Sequence, residues 1–179
     1  IKLFIKGFVM SERSDLYNVL KTIDGVTDID EGRLLKKDEL GYTAVGNFDY
    51  SSDPNDGTYS INYFTSKRAV SYSISLAIHF IYEKVESSID ECDLLKLIDA
   101  YNRTVIGIKV TNLPQERDDE LRISLKTEFY TPAENCSLED FKPSLWIMLR
   151  FLENAPTAFS RYLRKHDIKH DYLFEDAMN

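Results

Sequence analysis

An α+β fold is predicted: an antiparallel sheet of about five strands, helices on one face, element order α-βββ-α-ββ-α. Three observations predict it. Apolar residues recur at helical spacing in three separate stretches, residues alternate apolar and polar along others, and turn formers stand at hairpin distance between the first two strands. The 179 residues, 43% of them hydrophobic, are expected to form one domain over residues 1–179.

The segment Ile1–Met10 is apolar with interspersed Lys and reads as an N-terminal arm or short strand. It is too short and too charged to span a bilayer. A first helix follows over about Glu12–Asp24, where Leu16, Val19, Leu20 and Ile23 make one stripe. Ser11 suits its N-cap and Gly25 its left-handed C-terminal residue. Val26–Leu40 is charged and weakly patterned, a loop with room for one short strand. Strands are expected at about Tyr42–Tyr50 and Tyr59–Phe64, joined by the turn Asp53-Pro54-Asn55-Asp56-Gly57. Asp49, Asp53, Asn55 and Asp56 lack the spacing of a calcium loop, so the turn reading is preferred.

A third strand, about Val70–Tyr82, alternates strictly: Ile74, Leu76, Ile78, Phe80 and Tyr82 against Ser71, Ser73, Ser75, Ala77 and His79. A capping box at Ser88-Ile89-Asp90-Glu91 opens the second helix, which continues through Leu94, Ile98 and Tyr101. Strands are then expected at about Val105–Val110 and Leu121–Tyr130. The last helix is read from about Leu138, with Pro143 in its first turn and Pro156 expected to kink or break it. Residues 164–179 are expected to be a loosely packed tail.

Composition limits the function. A formal net charge of −8 with scarce clustered Lys or Arg argues against nucleic acid. Cys92 and Cys136 do not form a disulfide pattern and read as reduced thiols, so a cytoplasmic location is expected and no membrane partner. Asp90, Glu91 and Asp93 around Cys92 favour a structural role over a reactive one. No phosphate-binding glycine motif occurs, and no Gly-x-Ser-x-Gly elbow accompanies His79. His166 and His170 could share a divalent ion on a helix, but no third ligand stands nearby. No catalytic residue, cofactor or metal is therefore expected.

Ile98-Asp99-Ala100-Tyr101-Asn102-Arg103, then a strand, then Ser137-Leu138-Glu139-Asp140-Phe141 entering an apolar helix, resemble the YbjN-like family and the type III secretion chaperone-like fold. The family's helix-ending aromatic is usually Trp where this chain has Tyr101. The resemblance spans about Ser88–Leu163 and implies a dimeric, non-enzymatic binding protein.

The residues themselves support a partner surface. Leu145-Trp146-Ile147-Met148-Leu149 is apolar all around a helix, so the sheet can cover one side only. The expected function is a protein-binding module, chaperone-like or regulatory, acting as a homodimer through Leu145, Trp146, Met148, Leu149 and Leu152. A ligand pocket there is less favoured, because no polar cluster converges on these residues. A protein or peptide partner could also add to an edge strand. The alternative is a small-molecule sensor or enzyme using the open face of the sheet around Ser71, Ser73, Ser75 and His79.

Overall fold

The alternating segment Ser71–Tyr82 is paired along both edges, which places it inside the sheet. The computed structural model describes residues 18–30, 34–37, 41–50, 57–66, 71–85, 90–132, 140 and 142–172. Its strands are β1 (Val26–Thr27), β2 (Leu34–Lys37), β3 (Gly41–Tyr50), β4 (Thr58–Ser66), β5 (Ser71–Tyr82), β6 (Lys109–Asn112) and β7 (Leu121–Pro132). Two helices have full bounds, α1 (Glu91–Thr104) and α2 (Lys142–Lys165). Residues 18–21 form a further helical turn, with Val19, Leu20 and Ile23 buried and Gly25 at φ 88°.

All pairings are antiparallel, in the order β1-β3-β4-β5-β7-β6, with β2 also on β3. The α+β class and the interleaving of helices and strands agree with the sequence reading. The segment after Gly25 differs: it holds two short strands on β3, where one at most was expected. The β3–β4 pairing runs from Gly41↔Ser66 to Phe48↔Tyr59, as a hairpin requires. Its predicted turn, the Ser88 cap, the Leu138 helix start and the arm Ile1–Met10 lie outside the described residues.

The core lies on the face of Ile74, Leu76, Ile78, Phe80 and Tyr82 in β5 and of Leu121, Ile123 and Leu125 in β7. Helix α2 packs across β5 and β7, and α1 packs against β6. From α1 come Leu94, Ile98 and Tyr101; from α2 come Leu145, Met148, Leu149, Leu152, Ala155, Pro156, Phe159 and Leu163. Burial of this apolar area, at roughly 25 cal/mol per Å², is the main favourable term.

Four boundaries are corrected by the structure. Helix α1 begins at Glu91, later than the opening expected at Ser88, and Asp90 is its N-cap, its carboxylate accepting the Cys92 N–H at 3.3 Å. Strand β6 starts at Lys109, because Val105 still donates its N–H to Tyr101 and Gly107 turns the chain at φ 84°. A β-branched pair at Val105-Ile106 looked like a strand, yet Ile106 is fully outside. Helix α2 runs through Pro156 without a break. A mid-helix proline removes one hydrogen bond, at a cost of about 3 kcal/mol. Here the burial of Leu152, Pro156 and Phe159 offsets that cost, and the Tyr82 phenol donates to the Pro156 carbonyl at 2.6 Å.

The fourth correction concerns the tail. Residues 166–172 lie against the core, with Ile168 and His170 buried. The Tyr172 ring meets Phe80 and Tyr82 edge-on at 5.2 and 5.7 Å. The Asp171 N–H donates to the Glu83 carbonyl at 3.1 Å, and Lys84 pairs with the Asp171 carboxylate at 2.8 Å. The charged letters concealed an apolar spacing, Ile168, His170 and Tyr172, that alternates like a strand.

Candidate partner interface

A helix lying on a sheet shows its second side to the outside. Along α2 the inner stripe recurs at three- and four-residue steps from Leu145 to Leu163. Four of the five residues expected at a partner surface, Leu145, Met148, Leu149 and Leu152, are on that stripe and buried in the chain's own core. They are corrected to core residues. Trp146 alone of the five faces outward, at 48% exposure, and Ile147 and Phe151 join it at 48% and 52%. The five-residue apolar run is thus divided between two faces.

Charge on the outer face is as distinctive as its apolarity. The exposed residues of α2 include Lys142, Arg150, Arg161, Arg164 and Lys165 and no Asp or Glu. Glu153 is the helix's one acid, its side chain only 13% exposed and held by Arg150 at 2.8 Å. The Arg150 guanidinium also stands 5.4 Å from the centre of the Trp146 ring, within cation–π range. The sequence reading missed Ile147, Phe151 and these cations. The signal was present: once the inner stripe is removed, what remains of the helix has no unpaired acid.

The opposite face of the sheet behaves differently. On β5, His79 is half-buried and hydrogen-bonded, its Nε2 3.1 Å from Ser60 Oγ on β4. Burial holds the imidazole below its ordinary pKa of 6.5. Ser73 and Ser75 are not brought to it, and the side chain of Ser71 lies outside the described residues. Same-face neighbours on a strand are about 7 Å apart, which leaves Ser75 two steps from His79. The side chains of Ser60, Ser75, Ala77 and Ser124 are all buried. His79 sits between Thr58 and Ser124 in the strand register, and neither is an acid.

Polar groups also gather at two other places. A depression of about 670 Å³ lies between the start of α1, the β6–β7 loop and Ile168. Its floor is apolar (Val85, Leu94, Leu121), and its buried acid, Glu120, accepts the N–H groups of Glu116 and Arg117 at 2.7 and 3.2 Å. That carboxylate orders its own loop. His170 accepts the Tyr172 N–H at Nδ1, 3.2 Å, and its Nε2 lies 3.2 Å from Ser160 Oγ. Both ring nitrogens therefore serve the fold, and His166 instead packs on Tyr162 with ring centres 4.6 Å apart. Cys92 is exposed on the first turn of α1, which corrects its reading as a structural thiol.

The residues that carried the family resemblance have a structural task. Tyr101 packs edge-on against Phe159 and Tyr162, each at 4.9 Å. The Asn102 amide donates to the Val110 carbonyl at 2.9 Å and accepts the Val110 N–H at 2.8 Å. It thereby acts as one more strand residue beside β6. No family model matches the chain, and no curated protein matches it.

Proposed function

We propose that this protein is a binding module without a reaction centre of its own, chaperone-like or regulatory, that meets a protein partner through the outer face of α2. The observation that carries this reading is the half-exposure of Trp146, Ile147 and Phe151 on a helix whose inner stripe already fills the core. Adjacent exposed aromatic and aliphatic side chains mark interaction surfaces more often than isolated ones do. The occupant is a second copy of the chain, as the sequence suggests, or another protein.

The test is a double variant, Trp146→Ala with Phe151→Ala. Light scattering and partner capture should both register it if the face docks a protein, while circular dichroism stays unchanged. An unchanged mass and unchanged capture in that variant would remove the reading.

A further inference from the structure

We infer that the outer face of α2 docks an acidic amphipathic helix of another protein, an inference that rests on the reading of this face as a partner surface. The chain as a whole is acidic, with 30 Asp and Glu against 22 Lys and Arg. Yet Lys142, Arg150, Arg161, Arg164 and Lys165 are exposed along this one helix, with no exposed acid among them. A partner with Asp or Glu beside a short apolar stripe complements both properties at once. Outer helix faces accept a second helix in their ridges and grooves.

A second copy of α2 fits poorly, because pairing would bring two like-charged faces together, with five cations and one acid on each helix. The chain's own α1 is no better as an occupant. Of its three exposed acids, Glu91, Asp93 and Asp99, the last two pair with Lys96 and Arg103 on the same helix, at 2.8 and 2.7 Å. An anionic bilayer would also attract the cations. However, Trp146, Ile147 and Phe151 are each about half covered by their own fold. An interfacial helix sinks its apolar face about 5–10 Å below the headgroups, which half-covered side chains do not reach.

Trp146 is the only tryptophan of the chain, so its fluorescence reports on this face alone. The probe is a synthetic helical peptide with Leu at i, i+3, i+4 and i+7 and Glu on the flanking positions. The control is the same peptide with every Glu replaced by Gln. A saturable blue shift with the Glu peptide is expected, with affinity falling about tenfold or more for the Gln peptide and with added salt. The double variant Arg150→Glu with Arg161→Glu should weaken binding about as much while keeping its circular dichroism.

Equal binding of the two peptides would overturn the inference and leave the partner-surface reading standing. A Trp146 shift produced by phosphatidylserine vesicles and not by the Glu peptide would overturn both, assigning the face to a bilayer. Silence with every probe, together with a doubled mass that Phe151→Ala abolishes, would assign the face to a second copy and overturn the inference alone. Silence together with a monomer that Phe151→Ala leaves unaltered would overturn both.

Discussion

Helices α1 and α2 cover the same face of one sheet, and their inner sides are alike. Each presents an apolar stripe: Leu94, Ile98 and Tyr101 on α1, and Leu145 through Leu163 on α2. Their outer sides differ. On α1 three acids stand with two cations and a half-exposed Leu95, and Lys96 pairs with Asp93 and Arg103 with Asp99 at the three- and four-residue spacings where neighbours meet. On α2 the cations outnumber the acids and share the surface with Trp146, Ile147 and Phe151. An apolar stripe places a helix on a sheet. The residues left over tell whether its other side is finished by water or waits for a partner.

The largest expected effect tests the inner sides. Leu149→Ala, at a fully buried position, should cost about 2–5 kcal/mol in urea unfolding, and Ile98→Ala on α1 a similar amount. Phe151→Ala, on the outer side, should cost about 1 kcal/mol or less. If Phe151→Ala were as damaging as Leu149→Ala, the outer patch would belong to the chain's own core and the contrast would fail.

A smaller effect is expected where α1 joins the sheet. Asn102→Ala removes both bonds to Val110 and leaves that strand residue's polar groups partly unmet, at a cost of about 1–3 kcal/mol. Hydrogen exchange at Val110 should rise with it.

Much of this was legible in the letters. Strand β5 and the buried face of β7 followed from period two, and the α2 core stripe from steps of three and four. What escaped was whatever depends on contacts distant in sequence. Pro156 signalled a kink or break because local propensity cannot register the core that buries Leu152, Pro156 and Phe159 around it. The segment 166–172 looked solvated because its charged letters were counted and its alternation was not. Of the five residues expected at a partner surface, four lie on the inner side of the helix, in the chain's own core. An unbroken apolar run does not say which members the sheet will claim; the angular position around the helix does.

Acid should expose the end of α2 where that segment is fastened. Burial, the largest cause, holds His170 below its ordinary pKa of 6.5, Arg164 adding to this and Ser160 and Asp171 opposing it. His79 is lowered by burial too. The unfolded chain then binds more protons than the folded one once the pH drops below about 6.5, so stability falls as acid is added and is fully present above that value. Urea midpoints at about pH 7.5 and about pH 5.5 should differ for the parent, and less for His170→Gln. The Lys84–Asp171 pair beside it stays charged over this range. A midpoint that does not move between the two pH values would mean that neither imidazole is held neutral by the fold.

The smallest effect on stability is expected from the outer charges of α1, and it separates local from global electrostatics. Lys96 and Arg103 are mostly exposed, and their ion pairs are screened by water and salt. Replacing both by Ala should leave the urea midpoint within error of the parent. The same double variant makes the chain more negative by two charges, while Arg150→Glu with Arg161→Glu makes it more negative by four. If the acidic peptide recognises the α2 face itself, removing the α1 cations should alter its affinity by less than about twofold at physiological salt, where charges interact over about 8 Å. The α2 reversal should still weaken it about tenfold. Titrating salt distinguishes the two further: a general field decays for both variants alike, whereas a contact keeps part of its effect. Equal losses from the α1 and α2 variants would show that net charge and not the outer face of α2 governs binding, and the difference between the two helices would then be one of composition without consequence.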